Sequence, residues 1–164
     1  PAVGFGDGGE SKQAVLHMDI PTDWELYGDP FYWTQILFNL VENALKQNTE
    51  PGLSITVAAA KTQDACVITV TDTGVGIPAE SIPFLFNRFY RVETHHSSEI
   101  RGTGLGLSIV KRAVEAHDGA ITVSSIPHRE TVFTITIPLK RFREEKRIRQ
   151  LSQVSIETSA NKST

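Results

Sequence analysis

Three stretches carry residue types whose spacing could do chemistry. In Arg101-Gly-Thr-Gly-Leu-Gly-Leu-Ser-Ile-Val110, the glycines at 102, 104 and 106 alternate and run straight into an apolar, helix-like segment. Glycine accepts φ > 0 without strain and lets a ligand come close to the backbone. A helix beginning there aims unpaired N–H groups, and the positive end of its dipole, outward. That arrangement seats phosphate, although the same glycines could serve as a hinge.

The second stretch is Asn39-Leu-Val-Glu-Asn43-Ala-Leu-Lys46. At about 100° per residue from Leu37, Leu40, Val41 and Ala44 fall between about 300° and 40° and form the face expected to be buried. Asn39, Asn43 and Lys46 fall near 200°, 240° and 180° and share the opposite face. Such a seam could be an ordinary wet surface, but asparagine is a poor helix former, so two of them in mid-helix cost stability. A carboxamide oxygen is a neutral, hard ligand suited to Mg²⁺, and a lysine holds phosphate as a point charge.

The third is Val70-Thr-Asp72-Thr-Gly74-Val-Gly76-Ile-Pro78, at the end of a strand-like run. Asp72 could accept a hydrogen bond from an exocyclic amine while the glycines leave room for a flat ring. A simple turn and a dinucleotide-binding fingerprint compete with that reading. The fingerprint needs a helix starting at the glycines, which Pro78 and the loop-like residues beyond it oppose. No Gly-x4-Gly-Lys-Ser/Thr phosphate loop occurs.

Local signals place these stretches on elements. Val15 to Ile20 reads as a strand ended by Pro21. Asp29 caps a helix that has Pro30 in its first turn and runs from Phe31 to Asn48, with Pro51-Gly52 behind it. Leu53–Ala60 and Ala65–Thr71 form one hairpin, Ile121–Ile126 and Thr131–Ile137 another. A short helical piece is expected near Ile82–Arg91. The glycine stretch opens a helix over Leu105–Ala116, stopped by His117-Asp118-Gly119 with glycine in the left-handed place. The fold class that follows is α+β: a two-layer sandwich with helices on one face of a mixed, mostly antiparallel sheet.

The 164 residues, 40% apolar and 21% charged, fit one ordinary globular domain without an apolar run of membrane-spanning length. A single cysteine, Cys66, excludes an internal disulfide and reads as a small core residue. The net charge of −3 is uneven: residues 1–139 carry 9 basic and 16 acidic side chains, residues 140–164 carry 7 and 3. The basic cluster at 140–149 is diluted by Glu144 and Glu145 and reads as a solvated tail, so no nucleic-acid partner and no direct membrane contact are expected. Residues 1–12 read as a glycine-rich linker, 13–139 as the functional domain, and 140–164 as a basic, then polar tail without stable structure.

Taken in order, these motifs resemble the catalytic, ATP-binding domain of bacterial sensor histidine kinases, within the fold family that includes ATP-hydrolysing chaperone, topoisomerase and mismatch-repair domains. Asn39–Lys46 is similar to its N box and Asp72–Pro78 to its first glycine box. Phe84-Leu-Phe-Asn-Arg-Phe-Tyr-Arg91 resembles the F box, and Gly102–Leu107 the second glycine box. The resemblance covers residues 13–139.

It implies a set of roles. Asn43 would ligate Mg²⁺ bridging the ATP phosphates, with Asn39 assisting, and Lys46 would contact phosphate. Asp72 would bind the adenine amino group, Gly74 and Gly76 would shape the ring pocket, and Ile77 would pack on the ring. Gly102, Thr103, Gly104, Leu105 and Gly106 would line the phosphates. Arg91, with Arg88, would approach the γ-phosphate when a lid over 87–101, containing His95 and His96, closes. The family often has an aromatic residue where Gln47 stands, so packing on the nucleotide is expected to be weaker here.

The phosphate-accepting histidine of the family lies on a separate helical dimerisation domain and precedes an acidic residue. None of His17, His95, His96, His117 or His128 has that setting. The chain therefore reads as a monomeric catalytic half, whose linker leads from a missing dimerisation domain. The resemblance implies a homodimeric parent anchored in the inner membrane, with this domain in the cytoplasm and a downstream response regulator as partner. The hydrolysing branches carry a glutamate four residues before the Mg²⁺-binding asparagine. Here that position is Asn39, which cannot act as a general base. The alternatives are a nucleotide-binding regulatory module without catalysis or an ATP-hydrolysing domain of the same fold family.

Overall fold

The computed structural model describes residues 2–5, 12–24, 28–48, 51–92 and 104–139. Six strands form one sheet: β1 (Ala2–Phe5), β2 (Lys12–Asp19), β3 (Ser54–Lys61), β4 (Ala65–Asp72), β5 (Ala120–Ile126) and β6 (Glu130–Pro138). Their order is β1-β2-β3-β4-β6-β5, with β2–β3 parallel and every other pair antiparallel. Helices α1 (Pro30–Gln47) and α2 (Gly106–Ala116) pack on each other and on β4 and β5. This is the expected α+β sandwich. Residues 2–5, part of the segment read as a linker, instead form the edge strand β1: Ala2–Phe5 pair with Lys12–Val15, a partner that glycine content does not disclose.

The core is a row of alternating side chains on the central strands β3, β4 and β6, facing the helices. Cys66, Ile68 and Val70 of β4, and Phe133, Ile135 and Ile137 of β6, are all buried. Such alternation is what a sheet with one covered face requires. Asp72 continues the β4 row, so a carboxylate ends an apolar line. Burial pushes the Cys66 thiol up, with Lys61 partly opposing it, which fits an inert core residue.

Helix α1 starts as its sequence dictates: the Asp29 side chain accepts from Phe31 N–H at 2.9 Å, and Pro30 occupies the first turn. Its buried stripe is Trp33, Ile36, Leu40 and Ala44, while Leu37 and Val41 are only half-buried. The stripe is thus rotated toward Ile36 relative to the expected one, because α2 packs alongside α1 as well as the sheet below it.

Helix α2 ends in a pair of reverse-turn hydrogen bonds, Asp118 N–H to Glu115 carbonyl and Gly119 N–H to Val114 carbonyl. The left-handed residue is Asp118 (φ 56°), not the glycine expected there. Gly119 is needed for space instead: a Cβ would lie 2.4 Å from Ile137 Cδ1 and 2.9 Å from Thr136 O. The helical piece expected over Ile82–Arg91 is only a 3₁₀ turn at Ile82–Phe84 followed by further turns.

Candidate functional site

The end of β4, the exit of α1 and the β5–β6 hairpin meet around Asp72, which is 6% exposed. Asp72 Oδ1 accepts from Gly74 N–H at 3.0 Å and, more weakly, from Asn48 Nδ2 at 3.4 Å. Among the described residues, no hydrogen bond reaches Oδ2. Burial pushes this carboxyl above the ordinary carboxylate range, and the bonds from Gly74 and Asn48 pull it part of the way back. An acceptor is therefore held at the margin of the core, ready for a donor.

The loop after Asp72 is fixed from both sides. Val75 N–H donates to Asn48 Oδ1 at 2.7 Å, and Ile77 N–H to Ser125 Oγ at 2.8 Å. Ser125 in turn donates to Glu130 O at 2.7 Å. His128, left-handed at φ 60°, sends its N–H to Val75 O at 2.7 Å, so the glycine-free 127–130 turn docks directly on this loop. Gly76 has φ 72°, and a Cβ there would lie 2.5 Å from Ile126 O. Ile77, 9% exposed, presents its side chain to the core.

Along α1, Asn39 and Asn43 are half-buried and Lys46 is exposed. Asn39 Nδ2 is tied back to Gln35 O at 2.8 Å, which turns Oδ1 toward α2: a Cβ on Gly106 would sit 3.2 Å from it. The N-box helix and the second glycine stretch thus meet at these two residues. The Asn43 side chain makes no hydrogen bond among the described residues. Lys46 pairs with Glu42 at 2.7 Å, one turn back on the same helix. Gln47, where an aromatic residue is common in the family, is half-buried at the end of α1.

Helix α2 begins at Gly106 with Leu105 as its cap residue and no side-chain hydrogen bond closing it. Leucine has no polar side-chain atom with which to cap the helix, and a glycine-led helix start of this kind suits an anion. Gly104 (φ 69°) lies against Phe89, whose N–H donates to Gly104 O at 2.8 Å. The F box is anchored below by Phe86, edge-on to Phe133 at 6.3 Å, and Phe84 packs on Tyr90 at 5.7 Å. Arg88 and Arg91 are exposed at its end. Gly102, Thr103, His95 and His96 lie outside the described residues, as does most of the proposed lid.

The donor set fits Mg²⁺ held with phosphate: half-buried carboxamide residues beside the start of α2, with a lysine one turn on and, among the described residues, no carboxylate cage. Among the described residues, no cluster of three or more His, Cys, Asp or Glu side chains could hold a metal without such a ligand.

The structural roles of two residues escaped the sequence reading. Asn48 is buried and joins Ala44, Asp72 and Val75; its signal was a carboxamide residue at a helix exit. His117 is also buried, with Nδ1 2.7 Å from Ala113 O and its ring 5.3 Å from that of Trp33 and 5.8 Å from that of Tyr32. It pins the end of α2 to the start of α1.

A sandwich with an aspartate at a strand end, a carboxamide seam on the neighbouring helix and a glycine-led second helix defines an ATPase-type nucleotide fold. Residues 28–141 match the family described as Histidine kinase-, DNA gyrase B-, and HSP90-like ATPase, and the chain belongs to that family. Its relatives are sensor histidine kinases. It is 39% identical to sensor histidine kinase WalK of Bacillus subtilis over 113 residues, 68% of this chain and 18% of that protein. It is 40% identical to the adaptive-response sensory kinase SasA of Synechococcus elongatus over 134 residues, 80% of this chain and 34% of that protein. The structure of the mycobacterial sensor histidine kinase MprB superposes with a TM-score of 0.67 at 29% identity, covering 76% of this chain and 83% of that one. The chain thus corresponds to the catalytic domain of a histidine kinase and spans 18% and 34% of the two relatives' lengths.

Proposed function

We propose that this domain binds Mg·ATP and transfers the γ-phosphate to a histidine on a separate dimerisation domain, which then passes it to a response regulator. The observation that carries this reading is Asp72: among the described residues both side-chain hydrogen bonds fall on Oδ1, so Oδ2 would accept from a ligand donor such as the adenine amine. The base would lie against the loop held by Gly76 and Ile77, and the phosphates would run toward α2.

At that end, backbone N–H groups from Gly104 to Gly106, with Gly102 and Thr103 before them, would receive phosphate oxygens. Asn43, with Asn39 Oδ1 beside Gly106, would hold Mg²⁺, which neutralises the phosphate charge. Lys46 would exchange Glu42 for phosphate, and Arg88 and Arg91 would meet the γ-phosphate. An imidazole nitrogen of the acceptor histidine then bonds to the γ-phosphorus as the bond to the β–γ bridging oxygen breaks, and ADP leaves with that electron pair.

Hydrolysis is disfavoured by Asn39, an amide tied to Gln35 O where hydrolysing relatives of the fold carry a glutamate base. The parent kinase is read as a membrane-anchored homodimer with this domain in the cytoplasm and, taken alone, monomeric. No helix among the described residues is long and apolar enough to cross a membrane.

Incubation with γ-labelled ATP, with and without a separately prepared acceptor-histidine domain, tests the reaction. Label should appear on the acceptor domain only when both are present. Rapid phosphate release by this chain alone would show an ATPase instead, and binding without transfer or release would show a regulatory module.

A further inference from the structure

We propose that Asn48 is a positioning residue for Asp72, and that by fixing that carboxylate it sets a preference for 6-amino over 6-oxo purines. The inference rests on the reading of Asp72 as the base-recognising group and adds the residue that aims it.

The orientation of the Asn48 carboxamide is determined at both ends. Oδ1 accepts from Val75 N–H at 2.7 Å, and Nδ2 donates to Ala44 O at 2.6 Å. Flipping the amide would set Nδ2 against the Val75 N–H and Oδ1 against the Ala44 carbonyl, losing both bonds. The remaining Nδ2 hydrogen is therefore left for Asp72 Oδ1, 3.4 Å away.

With Gly74 N–H on the same oxygen at 3.0 Å, Oδ1 is flanked by two donors. The carboxylate is held with Oδ2, a pure acceptor, turned toward the ligand. An amino group at the purine 6-position satisfies it, whereas a 6-oxo group brings lone pairs against lone pairs. A site built around one buried polar partner rejects an analogue that cannot complete it.

Gly74 shows how closely this arrangement is built. Its backbone is not left-handed, so conformational freedom is not the reason for glycine here. A Cβ at that position would lie 1.9 Å from Asn48 Oδ1 and 2.2 Å from both Cγ and Nδ2. The glycine gives Asn48 the room to reach past the β4 end to Asp72 and Val75. The two residues are thus one device, contributed by the exit of α1 and the loop after β4.

The test is calorimetric titration of the full chain, in Mg²⁺, with non-hydrolysable triphosphate analogues of adenosine and of inosine. The wild type should prefer the adenosine analogue by about tenfold or more, the range of one hydrogen bond to a charged group. In Asn48→Ala the adenosine affinity should fall about tenfold while the inosine affinity changes less than about threefold, so the preference collapses. Gly74→Ala, which displaces Asn48 without altering it, should collapse the preference too and serves if Asn48→Ala does not fold. An equal loss for both analogues, or an unchanged preference in both variants, overturns the proposal. Asp72→Asn measured alongside separates the two layers: a preference that survives in Asp72→Asn refutes the reading of Asp72 itself, whereas one lost there but kept in Asn48→Ala and Gly74→Ala refutes only the role of Asn48.

Discussion

The backbone N–H of Phe89 donates to the carbonyl of Gly104 across 2.8 Å, and both residues are left-handed, at φ 65° and 69°. This clasp joins the F box to the residue that leads into α2, closing the base of the segment between them. A Cβ on Gly104 would lie 2.8 Å from the Phe89 Cα and carbonyl carbon. Gly104→Ala therefore adds a steric clash to a left-handed penalty of about 1–2 kcal/mol. The melting temperature should drop by at least about 3–6 °C, the share of the left-handed penalty alone at roughly 3 °C per kcal/mol for a chain of this size. Unaltered melting would show that the clasp is not formed in solution.

Asp72 gives a signed pH dependence. Its folded carboxyl lies above the ordinary range, chiefly through burial, so the folded protein holds that proton more tightly than the unfolded chain does. Its contribution to stability is greatest below the unfolded value and is lost as pH rises through the folded one. Asp72→Asn keeps an oxygen for Gly74 N–H and Asn48 Nδ2 without the charge. Its stability relative to wild type should therefore rise between about pH 4 and pH 7, in paired thermal melts. A relative stability that falls over that interval contradicts the assignment. Nucleotide affinity has the opposite sign, weakening as pH drops through the raised value, because the amine needs the ionised oxygen.

The Lys46–Glu42 pair is exposed, with side-chain accessibilities of 44% and 36%. Pairs of this kind on a helix contribute about 0.3–0.5 kcal/mol. Glu42→Gln should leave the melting temperature within about 2 °C of wild type and raise affinity for the triphosphate, since Lys46 no longer exchanges one anion for another. Lys46→Ala should weaken nucleotide binding about tenfold with equally small effect on stability. A large stability change in either would make the pair structural.

Gly28 precedes the cap of α1 with φ 144°, and a Cβ there would lie 2.5 Å from His117 Nε2 and 2.6 Å from Trp33 Nε1. Gly28→Ala should cost about 2–3 kcal/mol by combining strain with displacement of a buried ring. Thermal melting reads the cost, and tryptophan fluorescence reads the disturbance at Trp33. Wild-type values for both would refute the packing of His117 against this glycine.

Much of this was legible because it is local. The Asp29-Pro30 start of α1 depends on neighbours two residues apart, and the alternation in β6 follows from a period of two. Helix and hairpin signals pointed to the fold class, helical spacing put Asn39, Asn43 and Lys46 on one face, and the order of four motifs carried the family resemblance. What was not legible depends on distant partners. Asn48 acts on residues 24 and 27 positions away, and its signal on the sequence is only a helix exit. The rotation of the buried stripe toward Ile36 is set by α2, which lies far along the chain. At the end of α2, Gly119 is explained by Ile137 and Thr136 rather than by backbone freedom, which left Asp118 to take the left-handed turn. The edge strand at 2–5 exists because β2 offers it a partner, not because of its own composition.

The most direct test of the nucleotide site is calorimetric titration of the wild-type chain and Asp72→Asn with a non-hydrolysable ATP analogue and Mg²⁺. The expected result is saturable, one-to-one binding by the wild type, weakened at least about tenfold in a folded Asp72→Asn. No binding by the wild type, or equal binding by both, would contradict a cleft organised around Asp72.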